Sequence, residues 1–402
     1  MRTAVSWLGG LALAMAGAYL ACTLFPAPPR PELLAYFTPG QIADGRAYSQ
    51  PLRIAFILGT GLQCGLLVWL TAGQRDQALS RWALKAAGGR PTAASLLLLL
   101  LLLLALQLIS LPLDFFSGFL WQRQWGFATG GAGAWLLDHL KSETIILLPA
   151  LAGAALLLTL MRRLPRLWWL AAAALLSVWI MAASYLWPVY ISPLFNRFTP
   201  VSDPAVTEMT TRLADRAGLP VKEVLMMDAS RRTSRANAYF AGIGDTRQIV
   251  LYDNLLHNYS VTEIEAVVAH ELAHWRQNHI IKGVLWGIAG NIIAWGFIFL
   301  LLRPLCSRRR QPPPQLWLFM LLFIYLGSFI TLPVQNLISR HMEREADAIG
   351  VMLTGDPAAA IRLQISLAVK NRSDVYPPAY IRLFGSHPSA YERIMALRPM
   401  AQ

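Results

Sequence analysis

Charge is scarce in this sequence. Asp, Glu, Lys and Arg make up 14% of its 402 residues, against 55% hydrophobic ones. A chain of this length suggests two average soluble domains, and that composition argues against them. Cysteine is scarcer still: Cys22, Cys64 and Cys306 lie far apart, in or beside apolar runs. They offer neither metal-ligand spacing nor a disulfide framework and read as small apolar side chains. Acidic residues are the rarer charge, 22 against 35 basic ones, for a net charge of +13. The basic residues cluster in short connections between apolar runs, which is how spans are oriented and not how nucleic acid is bound. Ionisable groups are nearly absent from the apolar runs themselves, which excludes the mid-span charges a transporter wants. No internal repeat is visible.

Long apolar runs are what the sequence has instead. Mean hydropathy is +0.45, and the hydrophobic residues gather in stretches, the mark of an integral membrane protein. Seven stretches approach the roughly 20 residues of a spanning helix: 4–25, 53–73, 93–113, 144–161, 167–189, 281–302 and 315–337. The third contains an unbroken leucine run from Leu96 to Leu104. The first also fits a signal peptide with Arg2 as its charged start, but its length and the spans behind it favour a retained helix.

The N-terminus and the second, fourth and sixth connections carry twelve basic residues: Arg2, Arg75, Arg81, Lys85, Arg90, Arg162, Arg163, Arg166, Arg303, Arg308, Arg309 and Arg310. The first and third carry five: Arg30, Arg46, Arg53, Arg123 and Lys141. Basic connections stay in the cytoplasm, so the count puts the long region after span five on the other face. Arg as the main basic residue, with abundant Ala and Leu, fits a bacterial gene and hence a bacterial cytoplasmic membrane.

The chemistry concentrates in "VVAHELAHWRQNH", residues 267–279. "VTEIEAVVAHELAHW" (261–275) has helical apolar spacing, so His270 and His274, four apart, project from one face. That separation suits two ligands of one tetrahedral Zn2+, with Glu271 placed to take a proton from the attacking water. A third ligand is sought in "SRHMEREADAIG" (339–350), where Glu343 and Asp347 share a helical face. Glu343 as ligand, with Asp347 bonded to a ligating imidazole, suits a gluzincin-type site. Glu345 is the rival ligand, off that face. Two spans separate His274 from Glu343, and an even number returns the chain to the same side. A structural zinc site would be closed by four protein ligands, and no clear fourth appears. His279 reads as a structural or supporting residue; His139, His257 and His341 read as ordinary polar positions.

With those residues in hand, the chain resembles the type I CAAX prenyl protease family, seven-span zinc metalloproteases. The likeness covers nearly the whole length. It runs through "YFTPGQIADGRAYS" (36–49), "WGFATGG" (125–131), "ISPLFNRFTPV" (191–201), "MDASRRTSRANAYFAG" (227–242), "HELAHWRQNH" (270–279), "SRHMEREAD" (339–347) and "SHPSAYER" (386–393). Two departures are Ala273, where the family commonly has Gly, and "GFATGG", where an Asn usually follows the Phe.

The resemblance implies a mainly α fold. Seven transmembrane helices would enclose a water-filled intramembrane chamber, capped by a gluzincin-like domain with a small β-sheet. The expected organisation is spans one to five with their loops (1–189), a catalytic region (190–280), spans six and seven (281–337) and a C-terminal catalytic segment (338–402). Asn237, Ala238, Tyr239 and Phe240 would form an edge strand that takes the substrate as an added strand. His387 and Arg393 match the family's "HPxxxxR" element and would stabilise oxyanion charge. The blander reading of "SHPSAYER" is a helix start with Ser386 or His387 beside a first-position Pro. The expected activity is zinc-dependent peptide hydrolysis with one Zn2+ per chain, on a peptide or protein substrate, lipidated or not, amid membrane lipid and without nucleic acid. Two rivals are a membrane quality-control protease with no prenyl substrate and a non-enzymatic receptor or scaffold with structural zinc. Eukaryotic relatives present the site to the cytosol, opposite to the charge count.

Overall fold

Seven helices are long and apolar enough to cross a bilayer, the number expected: Thr3–Leu24, Pro39–Thr71, Pro91–Gln124, Ala132–Arg163, Trp168–Leu194, His279–Cys306 and Leu316–Thr354. The structure, a computed structural model, describes residues 2–26, 28–220, 224–242, 246–306 and 311–401. Arg308, Arg309 and Arg310 of the sixth connection and the side chain of Arg2 lie outside the described residues. Several helices run well beyond their apolar stretch. The seventh has 39 residues, about 58 Å at 1.5 Å per residue, against a hydrocarbon core of about 30 Å. It therefore crosses the bilayer and continues out of it as one unbroken helix with Pro333 inside it, bringing residues 338–354 to the water.

That helix is also the hub of the bundle. Half of its apolar window is buried, against 6–28% for the other spans. The N-terminal helix packs into the same assembly: the Tyr380 hydroxyl donates to the Met15 carbonyl at 3.2 Å, and the Tyr19 and Phe384 rings meet edge-on at 4.9 Å. Polar side chains inside the spans are satisfied locally. Ser110 and Thr331 donate to carbonyls one turn back, Leu106 and Gly327, as a medium without water requires. Buried Asn291 donates to the Ala173 carbonyl at 2.8 Å and to Ser177 Oγ at 3.0 Å, tying span six to span five.

Outside the spans, four strands form a small mixed sheet: β1 (Phe198–Pro200), β2 (Val224–Met227), β3 (Ala238–Ala241) and β4 (Gln248–Tyr252). The order is β1-β2-β4-β3, with β2 parallel to β4 and the other pairs antiparallel, so β3 is an edge. "QIVLY" forms its strand because Ile249, Val250 and Leu251 are all fully buried, between the sheet's two faces. The helix Val261–Arg276 starts at Ser260 in a reciprocal capping box with Glu263. Its Ile264, Val268 and Leu272 pack in one core with Leu213, Ile249, Leu251 and Leu255.

The first and third connections lean on this domain. Arg53 pairs with Asp374 at 2.9 Å, Ala128 bridges Thr233, and the Ser234 amide donates to the Phe127 carbonyl at 3.0 Å. Odd connections and both extramembrane regions thus share one side, as the span count requires.

Candidate active site

Two helices build the site. Val261–Arg276 carries His270, Glu271 and His274, and the extramembrane end of Leu316–Thr354 carries Glu343 and Asp347. They cross closely because Gly350 sits at the contact: a Cβ there would lie 3.3 Å from the backbone of His270, tighter than side chains normally pack. Ala269 and Ala273 are fully buried on the catalytic helix.

The two imidazoles face each other, with His270 Nε2 and His274 Nε2 3.1 Å apart. Glu343 reaches both from the other helix: Oε2 is 3.5 Å from His270 Nε2, and Oε1 is 3.5 Å from His274 Nε2. These three are the one His, Cys, Asp or Glu group among the described residues whose donor atoms all lie within 4.8 Å of one another.

Outer partners fix both rings. Asp347 Oδ1 is 3.0 Å from His270 Nδ1. His279 Nδ1 is 2.8 Å from His274 Nδ1, and His279 Nε2 is 3.1 Å from Glu345. Glu345 accepts the His279 Nε2 proton, so His279 Nδ1 accepts the Nδ1 proton of His274. His279 reaches back because Asn278, at φ 53°, turns the chain left-handed between the catalytic helix and span six. The rival carboxylate Glu345 therefore sits behind His279 and not among the three converging groups.

That donor set fits a cation. With both Nδ1 atoms turned outward to their partners, two Nε2 atoms and a carboxylate converge on one point, where a bound cation would stand in place of the proton that His270 otherwise carries. Glu343 Oε2 is buried and has no hydrogen-bond partner, which a bound cation would remedy. Two imidazoles and one carboxylate are the borderline donors that a tetrahedral metal with one open position takes.

Charge around the site follows from burial. Burial, with the neighbouring His270 next in size, pulls His274 down to about 3, so its ring is neutral. Burial also lowers His270, but its contacts with Asp347 and Glu343 outweigh this and carry it to about 9. Glu271 is pushed up to about 7 by burial, against an opposing pull from His270. Its Oε2 accepts the backbone N–H of Phe240 at 2.9 Å, which ties the carboxylate to the edge strand.

Arg393 comes from the short helix Ala390–Leu397. Its guanidinium forks onto Asp347, with Nε donating to Oδ2 at 2.7 Å and a second nitrogen to Oδ1, while its remaining nitrogen stands 4.0 Å from Glu343. His387 keeps 61% of its side chain exposed and places Nε2 3.4 Å from Glu343 Oε1. The helix after it begins at Ser389, which forms a capping box with Glu392. The start at Ser386 or His387 of the blander reading is thus displaced to Ser389, whose hydroxyl three residues before Glu392 has the capping geometry. Arg340, buried on the seventh helix, pins the His387 loop by donating to the carbonyls of Arg382 and Gly385.

Asn237, Ala238, Tyr239 and Phe240 line the cleft, whose volume is about 550 Å3, together with the three converging groups, Glu271, His387 and Arg393. The parity of β3 is set by two bonds. The Asn237 carbonyl accepts from the Tyr252 amide within the sheet, and the Phe240 amide points out to Glu271. By strand alternation Ala238 presents its main-chain groups on the same open side as Phe240. Two features escaped the sequence: Glu345 as the partner of the supporting His279, and a wall formed by Leu255, Val267, Leu363, Gln364 and Leu367. The "QNH" turn was the available signal for the first.

The chain matches two family models. One, described as CAAX prenyl protease N-terminal, five membrane helices, covers residues 31–197. The other, peptidase family M48, covers residues 200–401. CAAX prenyl protease 1 of Saccharomyces cerevisiae is 32% identical over 317 residues, covering 72% of this chain and 69% of that one. An uncharacterized metalloprotease of Bacillus subtilis, YhfN, is 29% identical over 373 residues, covering 90% of this chain and 86% of that one. A crystal structure of Ste24p from S. mikatae superposes with a TM-score of 0.84 at 27% identity, covering 97% of each chain. The chain therefore belongs to peptidase family M48, and it is an integral membrane metalloprotease.

Proposed function

We propose that this chain is a zinc metalloendopeptidase that cleaves peptides at the membrane surface, with prenylated C-terminal Cys-a-a-X sequences as its substrate class. The observation that carries the reading is the convergence of His270, His274 and Glu343 from two helices, with Glu271 beside them on the cleft. His270 Nε2, His274 Nε2 and a Glu343 oxygen would hold one Zn2+, which when bound supplies the Lewis acidity that polarises a carbonyl and acidifies water. Glu271 takes the proton of the attacking water and returns it to the leaving amine, a task suited to a carboxyl raised towards neutrality. His387, exposed on the cleft, faces the developing oxyanion. Arg393, expected beside it in that role, has its fork on Asp347, and we assign it the placing of that carboxylate, which in turn orients His270.

The substrate main chain pairs with β3. Ala238→Pro removes an N–H from the open side and is expected to lower kcat/KM by about 10-fold, the worth of one or two main-chain hydrogen bonds. Steady-state kinetics on a model peptide read this, with metal content unchanged; a kcat/KM equal to wild type would exclude strand pairing. His279→Phe leaves the His274 Nδ1 proton without its acceptor and is expected to weaken zinc about 10- to 100-fold. Competition with a chelator measures this, and an unchanged affinity would make His279 a packing residue only.

The substrate class rests on the relatives' names and is tested directly: metal analysis of the purified protein, with cleavage of matched prenylated and unprenylated peptides. Equal cleavage of both would favour a general membrane protease. We place the protein in a bacterial cytoplasmic membrane with its catalytic face away from the cytoplasm, on the twelve-to-five count of basic residues. A C-terminal reporter active only in the cytoplasm would reverse that orientation and restore the cytosolic placement of the eukaryotic relatives.

A further inference from the structure

Gln364 lies on the helix Pro357–Lys370 between Leu363 and Leu367, and its residue is 5% exposed. All three line the catalytic cleft, together with Leu255 and Val267. Among the described residues the Gln364 carboxamide has no hydrogen-bond partner. Its oxygen and nitrogen are not sealed in, unlike Glu343 Oε2, and the residue lines the cleft. Buried polar groups are nearly always paired. One donor-and-acceptor group left open in an apolar wall is a binding element awaiting its partner.

We propose that Gln364 is a specificity-determining residue, reading a hydrogen-bonding group on a substrate side chain that is otherwise apolar. This rests on the peptidase reading above. Main-chain recognition belongs to β3, and the side chains of an added strand stand off its plane. β3 and the helix Pro357–Lys370 both lean on the catalytic helix and form separate walls of one cleft, so what meets Gln364 is a side chain. The leucine and valine neighbours favour an aliphatic body, and the carboxamide favours a hydroxyl on it. Threonine is the minimal case, because valine has the same shape without the hydroxyl. A pocket built to hydrogen-bond a substrate group rejects the analogue that lacks it, whereas a purely apolar pocket separates such isosteres weakly.

The test uses the full-length, metal-loaded protein and pairs of peptides that differ by Thr or Val at each position flanking the cleaved bond. Wild type is expected to favour Thr over Val at one position by about 10-fold in kcat/KM, a discrimination of the size one good hydrogen bond gives. Gln364→Met keeps the length of the side chain and removes the amide, and Gln364→Leu is the second variant should Met fold poorly. In either, the preference is expected to vanish or invert at that position and no other. No Thr preference in wild type would overturn the proposal. So would variants that slow both peptides equally, with or without a lower melting temperature, since that marks a structural or main-chain role. Wild-type protein that cleaves none of the peptides would instead refute the peptidase reading, and this assignment with it.

Discussion

Glu271→Gln is expected to leave zinc and fold in place and to lower kcat by about 1,000-fold or more, the upper range for loss of a general base. The substitution is informative because Gln keeps the volume of Glu and one acceptor oxygen. The Phe240 amide, 2.9 Å from Glu271 Oε2 in the native protein, still finds a partner, so β3 and the catalytic helix stay in register. What disappears is basicity, the property that burial tunes towards about 7. Glu271→Asp gives the complementary result: the base survives but is withdrawn by about one bond length, and a displacement of about 1 Å can cost about 100-fold. Metal analysis with single-turnover cleavage separates the two effects. Turnover by Glu271→Gln within tenfold of wild type, at equal zinc content, would remove Glu271 from the chemistry.

The spans and the catalytic helix were legible because each repeats a simple period. Twenty apolar residues in a row have few structural outcomes, and His270 and His274 at i, i+4 lie on one face of any helix. Glu343 was reachable by parity, since two spans return the chain to the same side. Three features were not legible, each for a physical reason. The seventh helix does not stop where its apolar run stops, because hydropathy reports the solvent around a helix and not its length. The His279–Glu345 contact depends on one left-handed residue, Asn278, which redirects a ring that helical spacing would send elsewhere. Nothing in the sequence marks Gln364, whose neighbours one turn away, Ala360, Ile361, Leu367 and Ala368, are all apolar, and only the structure shows that it lines the cleft.

Glu343→Ala is expected to abolish stoichiometric zinc binding, and Glu345→Ala is expected only to weaken it. The two carboxylates are two residues apart, and the contrast follows from what each touches. Glu343 stands 3.5 Å from both Nε2 atoms, whereas Glu345 meets the outer nitrogen of His279 at 3.1 Å. Glu345 is two hydrogen bonds removed from the metal position, through His279 and His274; changes one removed typically lower affinity about 10- to 100-fold, so Glu345→Ala should cost less than that and loss of a ligand more. Glu343→Ala also leaves Arg393 with Asp347 as its sole close carboxylate partner at the site. Asp347 is unaffected as an acceptor for His270, so local collapse of the rings is not expected. A zinc held by His270, His274 and Glu343 would join a helix of the extramembrane domain to the end of the seventh span, so binding should hold those two elements together. Wild-type protein at a free zinc concentration 100 times its dissociation constant gains about 2.7 kcal/mol from binding, and its melting temperature rises accordingly. Glu343→Ala should show no such rise, and Glu345→Ala should show it only at higher zinc. Stoichiometric metal in Glu343→Ala, or loss of metal in Glu345→Ala alone, would exchange the roles of the two residues and with them the geometry of the site.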